Sequence, residues 1–131
     1  MKRPKKASNT EVTVELLKAR VEYSIKLGYS KQKWVEFCEH FLAQGYHLSL
    51  YEARRTVSKY ITVSRGRQRF KVRFSNHKPI EHREKAGDCD FFVGRTNLKV
   101  TTTRDAIRAT EEYFKREIAP LKKADEYDIA L

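Results

Sequence analysis

The sequence predicts an α+β protein: an N-terminal head of three helices, then a small three-stranded antiparallel sheet backed by a C-terminal helix. Three observations lead there. Apolar residues recur at helical spacing up to about residue 61, strict alternation takes over across residues 67–74, and helical spacing returns after Thr102. Helices followed by strands, rather than the two alternating, argue against a parallel α/β sheet.

Residues 1–9, with Lys2, Arg3, Pro4, Lys5 and Lys6, are too charged to pack and read as a flexible basic arm. Over residues 11–27, Val14, Leu17, Val21 and Ile25 share one helical stripe, which predicts a first helix closed by Gly28. Ser30 is placed to cap a second helix over residues 31–43, with Trp34, Val35, Cys38, Phe41 and Leu42 inward. Gln44 and Gly45 then break the chain. Ser49 and Glu52 have the spacing of a capping box, in which each side chain satisfies a backbone N–H of the other residue. That spacing predicts a third helix with Leu50, Ala53, Val57 and Ile61 inward, leaving Tyr51, Arg54, Arg55, Ser58 and Lys59 on the exposed side.

Ser64, Arg65 and Gly66 form a turn into the alternating segment. There Phe70, Val72 and Phe74 take one parity, while Arg67, Arg69, Lys71 and Arg73 take the other. Side chains of a strand alternate between its two faces, so this strand has a core face and a wholly cationic face. Residues 75–88 are polar and read as a long loop. Residues 89–93 and 98–102 form two further strands, joined by a turn of hairpin length at Gly94, Arg95, Thr96 and Asn97. Thr102 or Thr103 caps a last helix over residues 104–118, with Ala106, Ile107, Thr110, Tyr113, Phe114 and Ile118 inward and Pro120 as its stop. The organisation expected is therefore a basic arm at 1–9, a helical region at 10–64, a sheet-plus-helix region at 65–119 and an acidic tail at 120–131 carrying Asp125, Glu126 and Asp128.

Lys and Arg number 28 against 17 Asp and Glu, a net charge of +11. This excess exceeds what solubility needs and implies a negatively charged partner, with nucleic acid ahead of an acidic protein face or anionic lipid. Four cations in line repel one another unless something negative neutralises them. No apolar run is long enough to span a membrane and no export signal is apparent, so a cytoplasmic protein without membrane contact is expected. Cys38 and Cys89 make no disulfide framework and read as small core residues. His40, His47, His77 and His82 lack metal-ligand spacing, so neither metal nor cofactor is expected. His77 and His82 are candidate phosphate contacts.

The run Leu27, Gly28, Tyr29, Ser30, with Trp34, Leu42, Gly45, Leu48, Ser49 and residues 54–60, resembles helix-turn-helix modules of plasmid- and phage-borne proteins of conjugation, partition and regulation. The resemblance implies binding of double-stranded DNA with the third helix in the major groove. Arg54, Arg55 and Lys59 would meet base edges or phosphates with Tyr51 and Ser58 beside them, and Arg65, Arg67, Arg69, Lys71 and Arg73 would lie on the backbone. A mobile-element regulator or DNA transfer accessory factor is implied, non-enzymatic and a candidate homodimer.

The second half also resembles integrase arm-binding domains and the core of PD-(D/E)xK nucleases. For the latter, Asp90 falls at the metal-binding carboxylate and Asn97, Leu98 and Lys99 at the (D/E)xK hairpin. Asn97 stands where a second carboxylate would hold Mg²⁺, which favours binding over cleavage. A different class, an inhibitor docking on a protein of a nucleic-acid machine, would use the same basic surface.

Overall fold

A computed structural model describes residues 9–28, 31–54, 56, 58–76 and 89–130, with side chains as far as residue 116. Most of the expected basic arm, at 1–8, and most of the expected loop, at 77–88, lie outside the described residues. The order is β1 (Thr10–Glu11), α1 (Val14–Lys26), α2 (Lys33–Ala43), β2 (His47–Glu52), β3 (Lys59–Arg65), β4 (Gln68–Ser75), β5 (Asp90–Val93), β6 (Leu98–Val100) and α3 (Thr103–Ala130). All six strands form one antiparallel sheet in chain order.

The fold class needs correcting at its centre. The expected third helix does not form: residues 47–52 and 59–65 are β2 and β3, so the head has two helices and the sheet has six strands instead of three. The local pattern explains why. Leu48 and Leu50 are buried while Ser49 and Tyr51 are only half-buried, a period of two. In β3, Ile61 and Val63 are buried while Tyr60, Thr62 and Ser64 are not. Tyr60, Ile61, Thr62 and Val63 are β-branched or aromatic, types that suit a pleated surface and disfavour helix. Ser49 and Glu52, the supposed capping box, both lie within β2. β3 and β4 close into a hairpin whose last pair is Arg65 with Gln68, turning through Gly66 at φ +63°. The sheet is thus continuous across residues 64 and 65.

The alternating segment folds as its parity requires, with Phe70, Val72 and Phe74 of β4 buried. They join Leu48, Leu50, Ile61, Val63, Phe91 and Val93 on one face of the sheet. The helices cover that face, α2 packing on β2 and α3 on β4 and β5, with α2 also touching α1 and α3. Aromatic rings join the layers: Phe91 lies 5.6 Å from Phe37 of α2 and 5.0 Å from Phe74, and Tyr46 lies 5.2 Å from Phe41 and 5.1 Å from Phe114 of α3. Tilted and edge-on pairs at these distances each add about 0.5–1.5 kcal/mol beyond area burial.

The helices differ in detail from their expected stripes. In α1, Thr13 Oγ1 accepts from the Leu16 N–H at 3.1 Å, and Leu17 and Ser24 are buried, but Val14 and Ile25 face solvent. Helix α2 buries Phe37 in addition to Trp34, Val35, Cys38 and Phe41. Its N-cap is Gln32, whose Oε1 accepts from Trp34 Nε1 at 3.1 Å; Ser30, the expected cap, lies outside the described residues. Thr102 caps α3 by accepting from the Asp105 N–H at 3.0 Å. Pro120 does not stop that helix, which runs on to Ala130. Proline removes one hydrogen bond there, while the Leu, Lys, Ala and Glu that follow are good helix formers.

Both cysteines are buried free thiols, as expected of small core residues. Burial pushes the Cys38 thiol well above its usual pKa, and the neighbouring Glu39 adds to the effect. A thiol reagent at pH 8 should therefore leave Cys38 and Cys89 unlabelled in the native protein and label both in denaturant; rapid native labelling would contradict the packing. Phe91→Ala, which empties the centre of the ring cluster, should cost about 3–5 kcal/mol in chemical denaturation.

Candidate functional site

Because α1, α2 and α3 lie on one side of the sheet, the opposite parity of β2 to β6 forms a second face that, among the described residues, carries no helical layer. The strand registers arrange it in rows. One row runs Tyr51, Tyr60, Arg73, Phe92, Lys99 across five strands. A second runs Ser49, Thr62, Lys71, and a third His47, Ser64, Arg69.

The first row is a continuous band of rings and cations. Tyr51 and Tyr60 lie 5.8 Å apart at 58°. The Arg73 guanidinium sits between two rings, 5.5 Å from Tyr60 and 5.9 Å from Phe92. Tyr60 is 39% exposed, and Lys71 and Arg69 face solvent. Across β5 and β6, Lys99 Nζ pairs with Asp90 at 3.5 Å. At the end of the face beyond the band, Ser58 and Ser75 are buried and share a hydrogen bond of 2.7 Å, and Thr56 Oγ1 donates to Ser58 Oγ at 3.0 Å. Both serines are inaccessible there, and Asp90 pairs across the ladder with Ser75.

The residues expected to bind are divided by this arrangement. Arg69, Lys71, Arg73 and Tyr51 share the open face, and Arg67 stands exposed in the turn before β4. Arg54 is exposed in the bend after β2, and Arg55 lies outside the described residues, as do His77 and His82. Ser58 and Lys59 are not where a recognition helix would put them, and Arg65 turns to the helical side of the sheet. Ser58 is buried. Lys59 points to the helical side, 3.3 Å from Glu52 and 5.9 Å above the Trp34 ring. Arg65 donates to Tyr46 Oη at 2.9 Å and lies over the Tyr46 and Phe114 rings, so it braces α3. With residues 47–52 and 59–65 in strands, the expected third helix is not there to enter a major groove.

Tyr60, Thr62, Ser64 and Phe92, which were not singled out from sequence, complete the face together with Lys99, which was singled out only for the nuclease-like hairpin. The signal was present for the first three, in the alternation of Tyr60, Thr62 and Ser64 with Ile61 and Val63, but the helical reading of the segment concealed it. Asp90 and Lys99 do come together, whereas Asn97 sits in the turn at φ +54°. Among the described residues no three His, Cys, Asp or Glu side chains gather as a metal site, and no helix is long and apolar enough to cross a membrane. Comparison with protein-family models, with curated proteins and with solved structures returns no match.

Proposed function

We propose that this chain binds nucleic acid through the open face of its sheet. The observation that carries the reading is the band of Tyr51, Tyr60, Arg73, Phe92 and Lys99, with Lys71 and Arg69 in the adjoining rows. Cations alone would attract any polyanion. Rings set among them supply flat apolar surfaces, and nucleobases are the flat apolar component of a natural polyanion. Sheet faces carrying aromatic and basic side chains are an established means of nucleic-acid recognition, independent of helix-in-groove docking. The net charge of +11 acts in the same direction, raising the encounter rate with a phosphate backbone.

The reading is tested by fluorescence anisotropy of labelled oligonucleotides titrated with the protein over a salt series. Binding should weaken steeply between about 50 and 200 mM salt as counterions return to the phosphates. The double charge reversal Arg69→Glu with Lys71→Glu should lower affinity and flatten the salt slope by roughly 0.7–0.9 for each phosphate that is no longer neutralised. Failure to bind any oligonucleotide in low salt would falsify the proposal.

A further inference from the structure

The open face is asymmetric about its aromatic band, and resting on the reading just given, that asymmetry specifies the form of the ligand. On one side of the band lie the exposed cations Lys71 and Arg69, with the hydroxyls of Thr62, Ser49 and Ser64 beside them, and Glu11 at the β1 end of the Lys71 row, 3.8 Å from His47. On the other side are the buried Ser58 and Ser75 pair and the Asp90 carboxylate, held by Lys99. Lys71 and Arg69 attract phosphate to the first side.

We infer that the face takes a single strand of nucleic acid laid across the β-strands, its bases on the Tyr60, Arg73 and Phe92 row and its phosphates on the Lys71 and Arg69 side. In a duplex the π-faces of the bases are covered by their neighbours in the stack, so a band of rings offers it nothing. An unstacked strand exposes those faces, and each base that stacks on a ring gains about 1–3 kcal/mol whatever its sequence. The spacing suits this path. Neighbouring strands of a sheet lie about 4.8 Å apart, so Tyr60, Arg73 and Phe92 are successive platforms at a step wider than the roughly 3.4 Å rise of a stacked strand. Arg73 belongs to the series because a guanidinium plane stacks on bases as a ring does, and Tyr60 and Phe92 hold it from both sides. Lys71 precedes Arg73 by one pleat repeat, about 6.7 Å along β4, which separates the line of phosphates from the line of bases.

The test compares an oligo(dT) strand, an oligo(U) strand and a blunt DNA duplex of equal length by anisotropy, with wild-type protein and the variants Tyr60→Ala, Tyr60→Phe and Lys71→Glu. Both single strands should bind at least tenfold more tightly than the duplex. Tyr60→Ala should weaken single-strand binding about tenfold with the salt slope unchanged. Tyr60→Phe should restore it, since only the ring is needed. Lys71→Glu should lower the slope. Tyr60 is a solvent-face residue, and thermal melts of both Tyr60 variants would show that the fold is retained. Equal affinity for duplex and single strands, or an unaltered affinity in Tyr60→Ala, overturns the single-strand inference while leaving nucleic-acid binding intact. Absence of binding to all three ligands overturns the underlying reading itself.

Discussion

The structure depends on one constraint: the two-residue pleat, which sorts each strand into a side that must be buried and a side that need not be. Leu48, Leu50, Ile61, Val63, Phe70, Val72, Phe74, Phe91 and Val93 all fall on the same side of the sheet. Three helices supply the opposing layer, with Trp34, Phe37 and Phe41 from α2 and Phe114 from α3 as its largest buried contributions. At roughly 25 cal/mol per Å² of apolar surface removed from water, rings of this size dominate the favourable side of folding. The opposite side chains have no part in that core. A ring such as Tyr60, 39% exposed beside Tyr51 and Arg73, therefore gains nothing from the hydrophobic interior.

Polar contacts fix how the helices sit on the sheet rather than how firmly. Glu52 of β2 accepts from Arg20 of α1 at 2.7 Å and pairs with Lys59 of β3 at 3.3 Å, tying α1 to the edge of the sheet. Between the helices, His40 Nε2 lies 2.8 Å from Glu111 Oε2 and the same distance from the Gln44 amide. Lys33 Nζ donates to the Thr101 carbonyl at 3.0 Å, joining α2 to the chain just before α3. These groups are partly exposed, so each pair adds at most about 1 kcal/mol. Their value lies in orientation. The Arg65 contact is different in kind, since its guanidinium covers two aromatic rings while donating to one of them.

Much of the second half of the chain was legible from sequence, because Phe70, Val72 and Phe74 alternate with cations over a length no helix pattern can imitate. The hairpin at Gly94 and the Thr102 cap were legible for the same reason: each is a local device with a local signal. The middle of the chain was not. Leu50, Ala53, Val57 and Ile61 have helical spacing, and Ser49 with Glu52 has the spacing of a helix start, so two local signals agreed on the wrong element. What overrode them is non-local: β2 finds β3 on one edge and the short β1 on the other, and ladder hydrogen bonds with burial of Leu48, Leu50, Ile61 and Val63 outweigh a marginal isolated helix. The cationic row of the candidate site survived this error because it rested on β4 alone. Its aromatic half did not, because Tyr51 and Tyr60 become neighbours only when the two strands pair.

The order of strands in the sheet repeats their order along the chain, and this has a kinetic consequence. From β2 to β6 every strand pairs with its chain neighbours, so each ladder closes a short excursion and the search for partners stays nearly one-dimensional. Topologies dominated by such nearby closures assemble faster than those needing distant segments to meet. The exception is β1, whose two residues reach β2 only across the span of both N-terminal helices. It is the natural last stitch, and until it is drawn the outer rim of β2 stays open to neighbouring chains.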